Sequence, residues 1–314
     1  MFTNGEFVEF IWIPISVFAA LMQAVRTAAQ KTLSQSMSTM GTTYVRSLAA
    51  LPLIVAILCG VLWFEGSSVP KFSVTYLSYT FGGALAQVLA TALLIRMFAL
   101  RSFAVGTMLI KTDILMTAFI GTALFSEQLS VAGWLALFVV LLGVLLMLLG
   151  KVDSPSLVTG DEPLSLTIFG PVTQVALSCA LMFTFSYLCI REATLILQPG
   201  SFLWRGAWTV TLVIGMQTVF LGIWLALKQP LVFKQLRDHR GLIAFIGITS
   251  GLGSIGWFTA FALQNASYVR AVGQIEAVFT LTISCLYFHE KITRLELAGM
   301  AVMVVGVLLF RTVQ

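Results

Sequence analysis

The chain has 314 residues, of which 59% are hydrophobic and only 10% charged, with a mean hydropathy of +0.98. An ordinary soluble domain carries ~25% charged residues, and a globule in water cannot hide this much apolar surface. Disorder is excluded for the opposite reason, since there is too much to bury. The net charge of +5 and pI near 9.2 come without any basic run interleaved with aromatics. They fit loops facing anionic lipid rather than nucleic acid.

A spanning helix needs ~20 mostly apolar residues. Ten such runs follow one another, at about 11–31, 43–64, 76–97, 103–124, 131–149, 167–190, 202–227, 241–263, 269–288 and 295–311. The runs are continuous and do not alternate with period two, which excludes a transmembrane barrel. The expected fold is therefore an all-α integral membrane protein of ten transmembrane helices. The N-terminal stretch has Glu6 and Glu9 but no Lys or Arg, so the first run reads as a retained span rather than a cleaved signal. Cys59, Cys179, Cys189 and Cys285 lie singly inside apolar runs and read as buried thiols. The polar interval 151–166 divides five spans from five, giving residues 1–150, a connecting loop, and residues 167–314.

The two halves repeat. Sliding residues 98–147 by 163 positions onto 261–310 gives 12 identities in 50 without gaps, including Glu127 with Glu290 and Gly143 with Gly306. Gly41 and Arg46 match Gly200 and Arg205 at an offset of 159. Five spans per half is an odd number, so the halves insert with opposite orientation around a central cavity, as in many transporters with a midplane site.

Few charges fall within the spans, where an ionisable group costs ~2.5–3.5 kcal/mol on insertion scales. Lys111 and Asp113 lie in the fourth span, and their counterparts in the ninth are Gln274 and Glu276. Two residues apart on a helix is about 200° of rotation, so Lys111 and Asp113 need separate partners. The recurring acids, Asp113 and Glu276, are expected to approach one another across the cavity and to carry protons or capture a substrate amine. Arg46 and Arg205, at the starts of spans two and seven, either snorkel to the interface or bind carboxylate or phosphate at the cavity mouth. Arg96, Arg101 and Arg270 read as interfacial anchors. Glu127 and Glu290 read as helix caps. Gln87, Trp204, Trp208, Trp257, Tyr187 and Tyr268 are pocket candidates, the aromatics among them also suiting an interfacial belt. Gly247, Gly251, Gly253 and Gly256 form a small-residue face in span eight.

Taken together these residues resemble the drug/metabolite transporter superfamily, in its ten-span EamA-type members. Arg46 and Arg205 fit the family's Arg opening spans two and seven. Asp113-Ile114 and Glu276-Ala277-Val278 fit its acidic–Pro–Val-like segment, with the proline replaced in both halves. Glu127 and Glu290, then Gly143 and Gly306, fit the remaining elements. The resemblance implies a cavity formed by spans 1–4 and 6–9, with spans 5 and 10 as outer support, and both termini in the cytoplasm. The Lys/Arg count points the other way, because Lys228, Lys234, Arg237 and Arg240 share the connection between spans 7 and 8.

The expected function is secondary transport, by alternating access, of a small polar or zwitterionic metabolite such as an amino acid. The alternative is export or flipping of amphiphiles such as drugs or lipid-linked precursors. Substrate and coupling contacts are expected from Asp113, Glu276, Lys111, Arg46, Arg205, Gln274, Gln87, Trp204, Trp208, Trp257 and Tyr187. No enzyme motif, cofactor site or metal site is expected, proton coupling aside. The partners are a small organic solute and membrane lipid, and the expected location is a bacterial cytoplasmic membrane.

Overall fold

The computed structural model describes residues 10–66, 69–97, 109–152, 171–288 and 293–312, and every regular element in them is helical. In chain order these are α1 (Trp12–Leu33), α2 (Thr39–Glu65), α3 (Val74–Met97), α4 (Asp113–Leu124), α5 (Val131–Val152), α6 (Pro171–Ile196), α7 (Phe202–Lys228), α8 (Leu231–Asp238), α9 (Arg240–Leu263), α10 (Ala266–Gly273), α11 (Glu276–Phe288) and α12 (Arg294–Leu309), followed by a 3-10 turn at Phe310–Thr312. Of the expected connecting loop 151–166, residues 151 and 152 close α5 and the rest, with Arg101, His289 and Glu290, lies outside the described residues.

Local chemistry sets several helix ends. Ser38 Oγ accepts from Gly41 N to open α2, and Ser201 Oγ accepts from Trp204 N to open α7. Gly66, at φ +60°, closes α2 in the left-handed conformation that glycine adopts freely. Thr293 and Glu296 form a reciprocal capping box at α12.

Among the described residues, α1, α2, α3, α5, α6, α7 and α9 are long and apolar enough to cross a membrane. The other three expected spans appear in the described residues as shorter helices. The apolar helix α4 has 12 residues and α12 has 16, and the expected ninth span is divided into α10 and α11. The division is a local change of hydrogen bonding. Gln274 N and Ile275 N donate to Ala271 O and Val272 O, three residues back instead of four. Thr112 N and Ile114 N do the same to Leu109 O and Lys111 O. The two breaks fall at positions related by the 163-residue offset, and each is followed at once by an acid, Asp113 or Glu276.

Packing follows the same exchange of halves. The helix α3 packs on α6 and α1 on α9, while α2 packs on α7 and α5 on α12. A Cβ added at Gly143 would lie 2.6 Å from Met303 N, and one at Gly306 would lie 2.7 Å from Val140 N. Each glycine therefore admits the backbone of the opposite helix, and the offset of 163 converts one contact into the other. The expected small-residue face of α9 is also in use, with Gly247 against Ala49 and Gly256 against Ala19.

Large apolar side chains point outward, as Trp63, Phe64, Phe119 and Leu308 do, while charged and amide groups from several helices are buried together. That distribution is inverted relative to a water-soluble protein, and it is what a bilayer demands of a helical bundle.

Candidate functional site

The two helix breaks bring four charges together. Asp113 opens α4, is 1% exposed, and accepts at Oδ2 from Arg270 Nη2 at 2.9 Å. Arg270 lies on α10 and is itself buried. Its guanidinium carbon sits 4.4 Å from the Tyr187 ring centre and 5.2 Å from that of Trp257, two cation–π contacts contributed by α6 and α9. Arg270 is therefore not an interfacial anchor. It is the counter-ion of the acid in the other half of the chain.

The second pair crosses the halves in the opposite sense. Lys111 Nζ lies 4.0 Å from Glu276 Oε2, with both side chains partly accessible. Glu276 also accepts from Gln23 Nε2 at 2.8 Å, and Gln23 Oε1 accepts from Trp257 Nε1 at 3.0 Å. Lys111 and Asp113 thus have separate partners, as expected, with the break at Thr112 between them. Arg270 and Tyr187 lie within electrostatic range of both acids, so one cluster holds the two recurring carboxylates. One pair is tight and dry, and the other is loose and accessible.

Arg46 belongs to an adjoining network. It is buried rather than snorkelling, and its Nη2 donates to Gln87 Oε1 at 3.0 Å and to Gln217 Oε1 at 2.7 Å. Gln217 Nε2 in turn donates to Gln87 Oε1 at 2.9 Å. The network joins α2, α3 and α7.

The remaining expected residues lie elsewhere. Arg205 donates to the carbonyls of Ala262 at 3.0 Å and Thr194 at 3.5 Å, tying down the C-terminal end of α9. Gln274 is fully buried at the break, where its Nε2 reaches back to Arg270 O at 3.4 Å. Trp204 and Trp208 pack with Tyr76, Phe72 and Leu197 in a separate apolar cluster. Tyr268 packs against Phe310 and accepts from Ser130 N, away from the charges. Of the aromatic candidates, Tyr187 and Trp257 join the central cluster.

Glu127 is a cap, but of a distant helix. Its carboxylate accepts from Ala266 N at 2.6 Å, Ser267 N at 3.3 Å and Ser267 Oγ at 2.5 Å, and pairs with Arg191 Nε at 3.3 Å. It thus satisfies the exposed N–H groups that open α10. Arg191 Nη1 also donates to Phe261 O and Gln264 O, and Nη2 to Asn265 Oδ1.

Arg270, expected as an interfacial anchor, sits in the cluster instead, and Gln217 and Gln23 join these networks without having been expected to. Gln217 carried the same signal as Gln87, an amide deep in an apolar run. Arg270 did not, because its position near the expected span start gave no sign that the helix enters protein rather than lipid.

Among the described residues, no group of three or more His, Cys, Asp and Glu side chains could hold a metal ion. The model of the EamA-like transporter family matches residues 171–312. No curated protein matches the chain. A solved crystal structure, described only as that of a protein, aligns with a TM-score of 0.66 at 12% identity, covering 96% of each chain. That likeness concerns the fold alone.

Proposed function

We propose that the chain, whose residues 171–312 match the model of the EamA-like transporter family, is a secondary transporter, not an enzyme, that moves a small polar or zwitterionic metabolite by alternating access. The family match supports the coarser statement: an integral membrane transporter of small solutes. The finer reading is of ten spans in two inverted five-helix repeats, residues 1–150 and 167–314, joined by 151–166. The exchange-related packing of α5 with α12, and of α3/α6 with α1/α9, supports it.

The observation that carries the mechanism is the crossing of the two ion pairs at two equivalent helix breaks. Discontinuous helices expose backbone groups and dipole ends at mid-membrane depth, where a polar solute can be held. In our account Lys111 and Glu276 exchange their loose pairing for solute or proton contacts. Asp113 and Arg270 hold the break rigid beside them. Amino acids and related metabolites fit such a mixed-charge cluster. No cofactor is required, and the proton is the natural coupling ion for the accessible carboxylate.

Carboxamide variants in proteoliposomes test the assignment. Glu276→Gln is expected to abolish flux or its pH dependence. If both Glu276→Gln and Asp113→Asn leave flux and pH dependence unchanged, the acids are not the coupling groups.

A second reading, export of amphiphiles, draws on one feature. Between α3 and α7 an uncharged groove lined by Ala84, Leu85, Val88, Phe220, Leu221 and Trp224 reaches the buried Gln217. Competition of lipophilic cations for flux would favour it. We place the protein in a bacterial cytoplasmic membrane with cytoplasmic termini, for which a C-terminal tag protected from external protease is the expected result.

A further inference from the structure

The charge around the breaks does not balance. The two ion pairs account for Lys111, Asp113, Arg270 and Glu276. Two more guanidiniums, those of Arg26 on α1 and Arg46 on α2, are each at least nine-tenths buried. Neither has a carboxylate within 4.0 Å among the described residues. Arg46 is held by the neutral oxygens of Gln87 and Gln217, which orient it without cancelling its charge. Arg26 makes no hydrogen bond among the described residues, and its Nε is buried without an acceptor.

Both arginines lie on helices that pack against α9. Each lies seven residues inside its helix, counted from the connection at 34–38. At 1.5 Å per residue that is ~10 Å from the helix end in both cases. They are within electrostatic range of each other as like charges. The buried polar atoms around them are unsatisfied as well. Gln30 Nε2, one turn from Arg26, Thr42 Oγ1, one turn from Arg46, and Ser250 Oγ on α9 all lack a partner, as does Arg46 Nε. The helix α9 contacts Met22 of α1 through Gly253 and Ala49 of α2 through Gly247, so Ser250 lies between those two contacts. Buried like charges and orphaned donors are each costly unless something neutralises and satisfies them together.

We propose that Arg26 and Arg46, with Gln30, Thr42 and Ser250, form an oxyanion subsite that takes the carboxylate or phosphate group of the transported solute. The inference rests on the transporter reading above and narrows it: the solute carries a negative group, and any amine it carries points toward Glu276. A guanidinium fork matches such oxyanions in charge and in spacing, and the second guanidinium adds to the positive charge that favours an anion. Arg26 is within electrostatic range of both Arg46 and Glu276.

The test uses purified full-length protein in detergent, with thermal unfolding read against succinate, inorganic phosphate and the uncharged succinamide at matched ionic strength. A ligand of the folded state raises Tm by mass action. We expect succinate, phosphate or both to raise Tm where succinamide does not, and the better of the two distinguishes a carboxylate from a phosphate site. Arg26→Gln, which breaks no hydrogen bond, is expected to leave the ligand-free Tm equal or higher, by relieving repulsion, and to weaken the protection about tenfold or more. Arg26→Lys is expected to restore part of it. The proposal is overturned if neither anion protects beyond succinamide, or if Arg26→Gln and Arg46→Gln bind as the wild type does. Protection that depends on Arg26, without flux of any solute in proteoliposomes, would leave the subsite standing and remove the transporter reading. Flux that survives Arg26→Gln and Arg46→Gln unchanged would do the reverse.

Discussion

Arg270 Nη2 lies 2.9 Å from Asp113 Oδ2, and the two residues come from opposite halves of the chain, 157 positions apart. The pair is buried, and aromatic rings of α6 and α9 cover the guanidinium. Desolvating two charges is expensive, and removing one of them strands the other in a low-dielectric interior. Asp113→Asn is therefore expected to cost about 3–5 kcal/mol in folding stability. The double variant Asp113→Asn, Arg270→Gln should recover part of that loss. Thermal melts of the three variants in detergent check the order wild type, double, single. A single variant as stable as wild type would mean that the pair is not closed in the folded protein.

The second pair should behave differently. Lys111 and Glu276 are 4.0 Å apart and partly accessible, so solvent already offsets much of their attraction. Glu276→Gln is expected to change stability by about 1 kcal/mol or less while removing most of the transport activity. Measured together, Tm and flux separate a group that works from one that holds. A large drop in Tm with flux intact would assign Glu276 the structural part instead.

Glu127 offers a third contrast. Its carboxylate closes the N-terminal end of α10 and neutralises Arg191. Glu127→Ala leaves two backbone N–H groups without their acceptor and the half-buried Arg191 without its counter-ion, and about 3–5 kcal/mol should be lost. Because α10 carries Arg270, the variant should also loosen the Asp113 pair. Cysteine labelling of Ala271→Cys, a buried position next to Arg270 on α10, faster in the Glu127→Ala chain than without it, would show it.

At the contact between α5 and α12 the glycines set the helix separation. Gly143→Val puts branched carbon where Met303 N already lies 2.6 Å from an ideal Cβ, so about 1–3 kcal/mol is expected to be lost. Gly306→Val, the equivalent change, should cost a similar amount. Gly60 and Gly215 have nothing within 4 Å of such a Cβ. Alanine there should be neutral or stabilising by up to ~1 kcal/mol, from helix propensity. Melting curves of the four variants check the pattern.

Much of this was legible in the chain, and for physical reasons. Apolar run length sets where a helix can cross hydrocarbon, so the expected spans at 11–31, 43–64, 76–97 and 241–263 fall within a few residues of α1, α2, α3 and α9. The cost of a buried charge marks Lys111, Asp113 and Glu276 from the sequence alone. The division of the ninth span was not legible, since the single Gly273 before Gln274-Ile275 is of a kind common inside transmembrane helices and does not by itself mark a break. Nor was the amphipathic helix α8, whose Lys234 and Arg237 read as an ordinary loop. Arg205 and Arg46 share a motif position and yet serve differently, one on carbonyls at a helix end and the other on buried amides. Only the packing around each distinguishes them.

The central claim is that the crossed ion pairs frame a solute site that opens alternately to the two sides. Counterflow tests it most directly. Proteoliposomes loaded with an unlabelled mixture of amino acids and organic acids are placed in trace labelled solute, one at a time, and the label inside is followed. We predict a transient, saturable accumulation of at least one anionic or zwitterionic solute, absent with Glu276→Gln. Label that enters wild-type vesicles no faster than protein-free ones, for every solute, would contradict the account.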